Sequence, residues 1–142
     1  MEKTITRPRL VMSYEPVAAP GSVEDANTLF YDRGWTDGLP IIPPTAEAVK
    51  RMLTYVDRPA DEVIATLAPR WGKATVGKIA VNAVMAGCLP EYMPVVITAV
   101  EAIADPAFNL FALQATTNPV APLAIINGPV TKELNINGSF NA

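Results

Sequence analysis

The sequence predicts a helix-dominated α/β or α+β domain over residues 22–142, with two or three short strands, behind an extended N-terminal arm over residues 1–21. Three polar N-cap residues each precede a stretch with apolar residues at helical spacing. The 14 prolines and 8 glycines divide the 142 residues into short elements. Because 50% of the residues are hydrophobic and only 18% are charged, we also expect an apolar surface that a second subunit covers.

The arm and the first helix meet at Ser22. Prolines at positions 8, 16 and 20 interrupt the residues before it, which predicts an arm without a regular element. Ser22 is expected to cap a helix with one apolar face. That helix is predicted to end at Gly34, because glycine readily adopts the left-handed conformation that follows many helices.

A turn and a short apolar piece precede the second helix. Asp37 and Gly38 predict the turn, and residues 39–42 predict an extended piece that two prolines end. Thr45 is expected to cap a second helix that ends at residues 57–59. The apolar face of this helix is predicted to consist of Val49, Met52, Leu53 and Val56.

The middle of the chain predicts one strand and two central helices. Residues 63–67 have strand composition, although they could also continue as a helical turn, and residues 69–73 predict a loop. Thr75 is expected to cap a helix with small residues on one face, ending near residue 87. A further helix over residues 90–104 is apolar almost all round, so these two helices are predicted to form the hydrophobic centre.

The last third of the chain predicts shorter elements. Residues 108–113 fit a short helix or a strand, and residues 114–119 predict a polar turn. Residues 123–126 are predicted to form a fully buried strand because they are continuously apolar between turn signals. No clear element is predicted over residues 130–142, and residues 135–142 are expected to form a turn that leads onward.

Charge and composition exclude several classes of function. The net charge of −3 and the pI near 4.9 argue against nucleic acid or an anionic membrane as a partner. One cysteine, no histidine and dispersed carboxylates predict no zinc or iron–sulfur site, and no motif identifies a cofactor. A lone cysteine, no secretory signal and no apolar run of bilayer length predict a cytoplasmic protein.

Cys88 is the main candidate for chemistry. It lies between two predicted helices, and the positive end of the second would favour its thiolate. In this hypothesis Cys88 is a nucleophile or redox thiol, Glu91 transfers a proton and Asp37 orients the substrate. The structural alternative has somewhat more weight. In it, Cys88 packs in the interior, Glu91 is an acidic residue in the first turn of a helix, and Asp37 forms an Asx-turn.

Four further residues are candidates for substrate binding. Trp35 flanks the Asp37 turn, and Thr116, Thr117 and Asn118 form a polar group between two apolar runs. At the mouth of a pocket they would supply the convergent polar groups that small-molecule sites need. As an alternative, the last three are turn-forming residues whose side chains bind their own backbone.

Three stretches carry a family resemblance: residues 34–40 (Gly-Trp-Thr-Asp-Gly-Leu-Pro), residues 79–92, and Asn118-Pro119 with Asn127-Gly128-Pro129. From about residue 30 onward the chain resembles a bacterial family whose members accompany a small protein with a UGSC or CGSC motif, where U is selenocysteine. The resemblance implies that the chain is the N-terminal part of a longer, split or processed polypeptide. It also implies sulfur or selenium chemistry shared between two subunits.

Two classes of function follow as hypotheses. In the first, the chain is a subunit of a heteromeric or processed bacterial enzyme, such as a reductase or lyase, with thiol-dependent chemistry on a small molecule. Its site would be completed by a second protein subunit or by another copy of the chain. In the second, it is a non-catalytic structural or assembly subunit, or a module that binds a small molecule.

Overall fold

A computed structural model describes residues 17, 18, 21–138 and 140 of the chain. Within these residues, six α-helices and one antiparallel pair of strands form a small helix-dominated α+β fold, which confirms the predicted fold class. The predicted arm over residues 1–21 lies almost entirely outside the described residues. The elements are α1 (Val23–Asp32), α2 (Ala46–Leu53), β1 (Val63–Leu67), β2 (Gly72–Thr75), α3 (Val76–Met85), α4 (Met93–Ala104), α5 (Leu110–Ala115) and α6 (Pro129–Glu133), with 3-10 turns at Pro90–Tyr92 and Pro106–Phe108.

The three predicted N-caps are confirmed. The hydroxyl oxygens of Ser22, Thr45 and Thr75 each accept a hydrogen bond from the backbone N–H three residues later, at 3.1, 3.2 and 3.3 Å. Each bond satisfies one of the backbone donors that a helix leaves unpaired in its first turn. These caps therefore set where α1, α2 and α3 begin.

The hydrophobic core lies where α2, α3 and α4 meet, and β1 packs beside α4. Small residues on α3, among them Gly77, Ala80 and Ala83, are buried and let the neighbouring helices approach closely. The predicted hydrophobic centre is thus confirmed, with α2 as a third contributor. The buried cluster consists of Val49, Met52, Val76, Ile79, Ala80, Ala83, Val84, Met93 and Ile97.

Two predictions in the middle of the chain need correction. The loop predicted over residues 69–73 is wrong at its end, because Gly72 and Lys73 begin β2 and pair with β1. Neither residue has a strong strand preference, so the pairing itself forms the strand. The second helix ends at Leu53 rather than near residue 57, and Val56 packs against the core from the irregular segment after it.

The strand predicted over residues 123–126 is also wrong. The structure has no strand there, and Leu123 and Ile125 are 82% and 79% exposed rather than buried. Continuous apolar composition indicates burial only where another element covers the segment, and no described element does so here.

The short helix α6 was not predicted, although Pro129 stands at the first position of the helix, which proline favours. Of the two alternatives for residues 108–113, the helix is found, as α5.

An ion-pair network joins the entry to β1 with α4. The guanidinium of Arg58 donates to Glu62 Oε1 at 2.8 and 3.1 Å and to Glu101 Oε1 at 2.7 Å. The hydrogen bonds from Arg58 hold the pKa of the Glu62 carboxyl below its ordinary value. Because the depressed pKa belongs to the folded state, its stabilising effect is present at neutral pH and is lost as the pH falls through that pKa.

We therefore expect Glu62→Gln to lower the melting temperature at neutral pH but not at strongly acid pH, where the wild-type carboxyl is protonated as well. Thermal denaturation followed by circular dichroism across this pH range measures the difference. Asp57→Asn, a change at an exposed carboxylate close in sequence, is the control. If the difference in melting temperature between wild type and Glu62→Gln stays constant down to acid pH, the ionised Glu62 carboxylate does not stabilise the fold.

Candidate functional site

Cys88 is held in place by the turn that ends α3. Gly87 has a φ of 76°, and its N–H donates to the Val84 carbonyl oxygen at 2.9 Å. The N–H of Cys88 donates to the Ala83 carbonyl oxygen, also at 2.9 Å. These two bonds define a Schellman motif, in which the residue after the glycine commonly makes an apolar contact back onto the helix. Cys88 takes that position and is half-buried against the core.

Cys88 also lines an open cleft of about 250 Å³. This is below the roughly 300–1,000 Å³ of pockets for drug-sized ligands, so the volume limits any ligand to a smaller molecule. Arg51 of α2 brings a positive charge to an otherwise mainly apolar wall. The lining residues are Ile42, Ala48, Arg51, Met52, Val84, Gly87, Cys88, Leu89 and Pro90.

Asn27 of α1 holds the segment that contributes Ile42 to the cleft. Its side-chain amide accepts from the Ile41 N–H at 2.6 Å and donates to the Ile41 carbonyl oxygen at 3.2 Å. The next residue, Ile42, donates its N–H to the Met85 carbonyl oxygen at 3.1 Å. Asn27 and Met85 thereby fix residues 41–42 between α1 and the end of α3. Sequence reasoning missed Asn27, and its one available signal was an amide next to the apolar face of a helix.

Glu91 and Asp37 do not line the cleft with Cys88. Glu91 is half-buried in the 3-10 turn Pro90–Tyr92, and it follows Pro90, a lining residue of the cleft. Asp37 is exposed, and its Oδ1 accepts from the Leu39 N–H at 3.0 Å in the Asx-turn that the sequence suggested as the structural alternative. Of the three residues predicted to form the catalytic group, the described cleft therefore contains Cys88 alone.

The predicted substrate-binding residues also lie away from this cleft. The Trp35 ring packs edge-on to Phe30, with centroids 5.2 Å apart, and the Arg33 guanidinium lies 4.9 Å from its centroid. Thr116 accepts the Asn118 N–H on its hydroxyl at 3.2 Å, a turn-forming bond, while Thr117 is exposed beside it. These contacts account for Trp35 and the Thr116–Asn118 turn as local structure.

Within the described ranges, no three His, Cys, Asp or Glu side chains are arranged to hold a metal ion. The same ranges contain no single helix that is long and apolar enough to cross a bilayer. Two neighbouring helical segments, Pro90–Ala104 and Pro106–Ala115, reach the required length and apolar composition only when taken together, and they are bent by 65° where they meet.

No protein-family model, curated protein or solved structure matches the chain.

Asn27→Ala is expected to lower the free energy of unfolding by about 1–3 kcal/mol, because it leaves the polar backbone groups of Ile41 without their partner. Chemical denaturation measures the change. Asn82→Ala is the matched control, since the exposed Asn82 amide bonds only within its own helix, to the Lys78 carbonyl oxygen. An equal loss in both variants would show that Asn27 does not hold the cleft wall.

Proposed function

We propose that this chain is a subunit of a heteromeric or processed bacterial enzyme that carries out thiol-dependent chemistry on a small anionic molecule in the cytoplasm. The observation that carries the proposal is the cleft in which Cys88 and Arg51 lie together. The resemblance to the family found with UGSC and CGSC proteins supports the thiol chemistry and the bacterial, multi-subunit setting.

The two side chains have complementary tasks in this proposal. Cys88 is the nucleophile or redox thiol, and Arg51 binds a carboxylate of the substrate through the paired donors of its guanidinium. Arg51 thus takes the orienting role that the sequence suggested for Asp37, whose carboxylate is engaged in its own turn. The apolar lining contacts the uncharged part of the substrate.

Proton transfer needs a group outside the cleft lining. The chain has no histidine, so the familiar Cys–His pair requires a second subunit. Glu91, three residues after Cys88, is the nearest candidate along this chain and keeps the proton-transfer role in the proposal. The open side of the cleft is where the second subunit would complete the site.

Small monocarboxylates are expected to raise the melting temperature of the purified chain through Arg51. Arg51→Gln should weaken their binding by about 10- to 100-fold, the range for losing a hydrogen bond to a charged group. Lys50→Gln is the matched control, because Lys50 is the adjacent exposed cation and does not line the cleft. If differential scanning fluorimetry shows equal carboxylate affinity for Arg51→Gln and Lys50→Gln, then Arg51 is not part of the binding site.

In the assembled enzyme, Cys88→Ser should lower turnover by about 100-fold or more while carboxylate binding persists, because the thiol reacts and Arg51 binds. Full turnover by the serine variant would refute the thiol chemistry. Persistent binding without any turnover in the wild type would instead favour a binding module.

A second candidate is a non-catalytic assembly subunit. The apolar contact that Cys88 makes in the Schellman motif and the exposed apolar residues 123–126 favour it. In this case Cys88 only packs, and carboxylates would not bind in an Arg51-dependent way. The two candidates therefore differ in the chemistry of the cleft, while both include a partner subunit.

A further inference from the structure

The segment from Leu123 to Asn127 has the properties of a strand without a sheet. All five residues are exposed and run without helix, turn or bend between Pro122 and Gly128. None of their backbone N–H or C=O groups bonds to another backbone group among the described residues. Leu123 and Ile125, on alternate positions, are the most exposed of its large apolar side chains.

The same fold contains a sheet with open edges. β1 and β2 form a two-stranded sheet, so each strand has one side that no described strand pairs with. A sheet of two strands gains stability from a third, and an extended apolar segment can supply it by strand addition. An unpaired extended segment and a sheet edge with which no described strand pairs are therefore both present in one chain.

The β1 edge suits an apolar strand better than the β2 edge does. β1 is five residues long, like the free segment, and its first residue, Val63, is 44% exposed. β2 carries Lys73, whose carbonyl oxygen accepts from Lys78 Nζ at 3.2 Å. Lysines along an edge are a common means of discouraging strand addition.

We propose that two copies of the chain exchange these segments, with residues 123–127 of each adding as a third strand to the β1 edge of the other. A reciprocal exchange satisfies the free backbone groups of both segments and closes as a symmetric dimer. It also explains why residues 123–126 have the composition of a buried strand yet lie exposed in one copy.

Ile125→Pro tests the backbone pairing because it removes one N–H donor from an exposed segment that supports no other described element. We expect wild type to sediment as a dimer and Ile125→Pro as a monomer. Ala121→Pro, an equally exposed position outside the five-residue segment, should stay dimeric. The double variant Leu123→Asp/Ile125→Asp, which removes apolar contacts instead, should also be monomeric, and circular dichroism checks that all variants keep their helices.

Amide hydrogen exchange locates the contact. The amides of residues 123, 124, 126 and 127 and those of β1 should exchange at least about 10-fold more slowly in the wild-type dimer than in the Ile125→Pro monomer. A wild type that is monomeric at every concentration would overturn the proposal. So would a dimer that survives Ile125→Pro, or a dimer that protects residues 123–127 while β1 exchanges unchanged, since the partner surface would then be another one.

Discussion

The close packing of α3 against α2 and α4 is the constraint on which the rest of the structure depends. The small alanine and glycine residues on α3 leave room for the larger Met52 and Met93 to fill the space between helices. Once α3 is fixed, the position of its last turn is fixed as well. The Gly87 turn, the backbone bond from Ile42 and the cleft beside Cys88 all follow from that position.

Cys88 lies at the border between the core and the cleft. It makes the apolar contact of the Schellman motif, which is a sufficient structural reason for a small apolar residue there. It also lines a cleft to which Arg51 of a different helix contributes. Because Met52 and Val84 belong both to the core cluster and to the cleft lining, the packing that holds Cys88 in place also shapes the cleft. In the proposed chemistry, this packing positions the thiol for reaction.

The sequence predicts most of the helices because their signals are local. The hydroxyls of Ser22, Thr45 and Thr75 each accept a hydrogen bond from the first turn of the helix that follows. The starts of three helices can therefore be derived from neighbouring residues alone. β2 and the proximity of Arg51 to Cys88 depend instead on contacts between segments distant in sequence, which no local pattern encodes. Residues 123–126 show the converse, because their composition predicts burial while no described element covers them.

The proposed thiol chemistry depends on Cys88 being open to a small anion guided by Arg51. The most direct test compares the rates at which iodoacetate and iodoacetamide alkylate Cys88 in folded and in unfolded protein. Because both reagents attack the same sulfur, their rate ratio isolates the effect of the reagent's charge. We predict a ratio of iodoacetate to iodoacetamide about 10-fold higher in the folded chain, lost in Arg51→Gln. An unchanged ratio, or a folded Cys88 that reacts with neither reagent, would contradict the account.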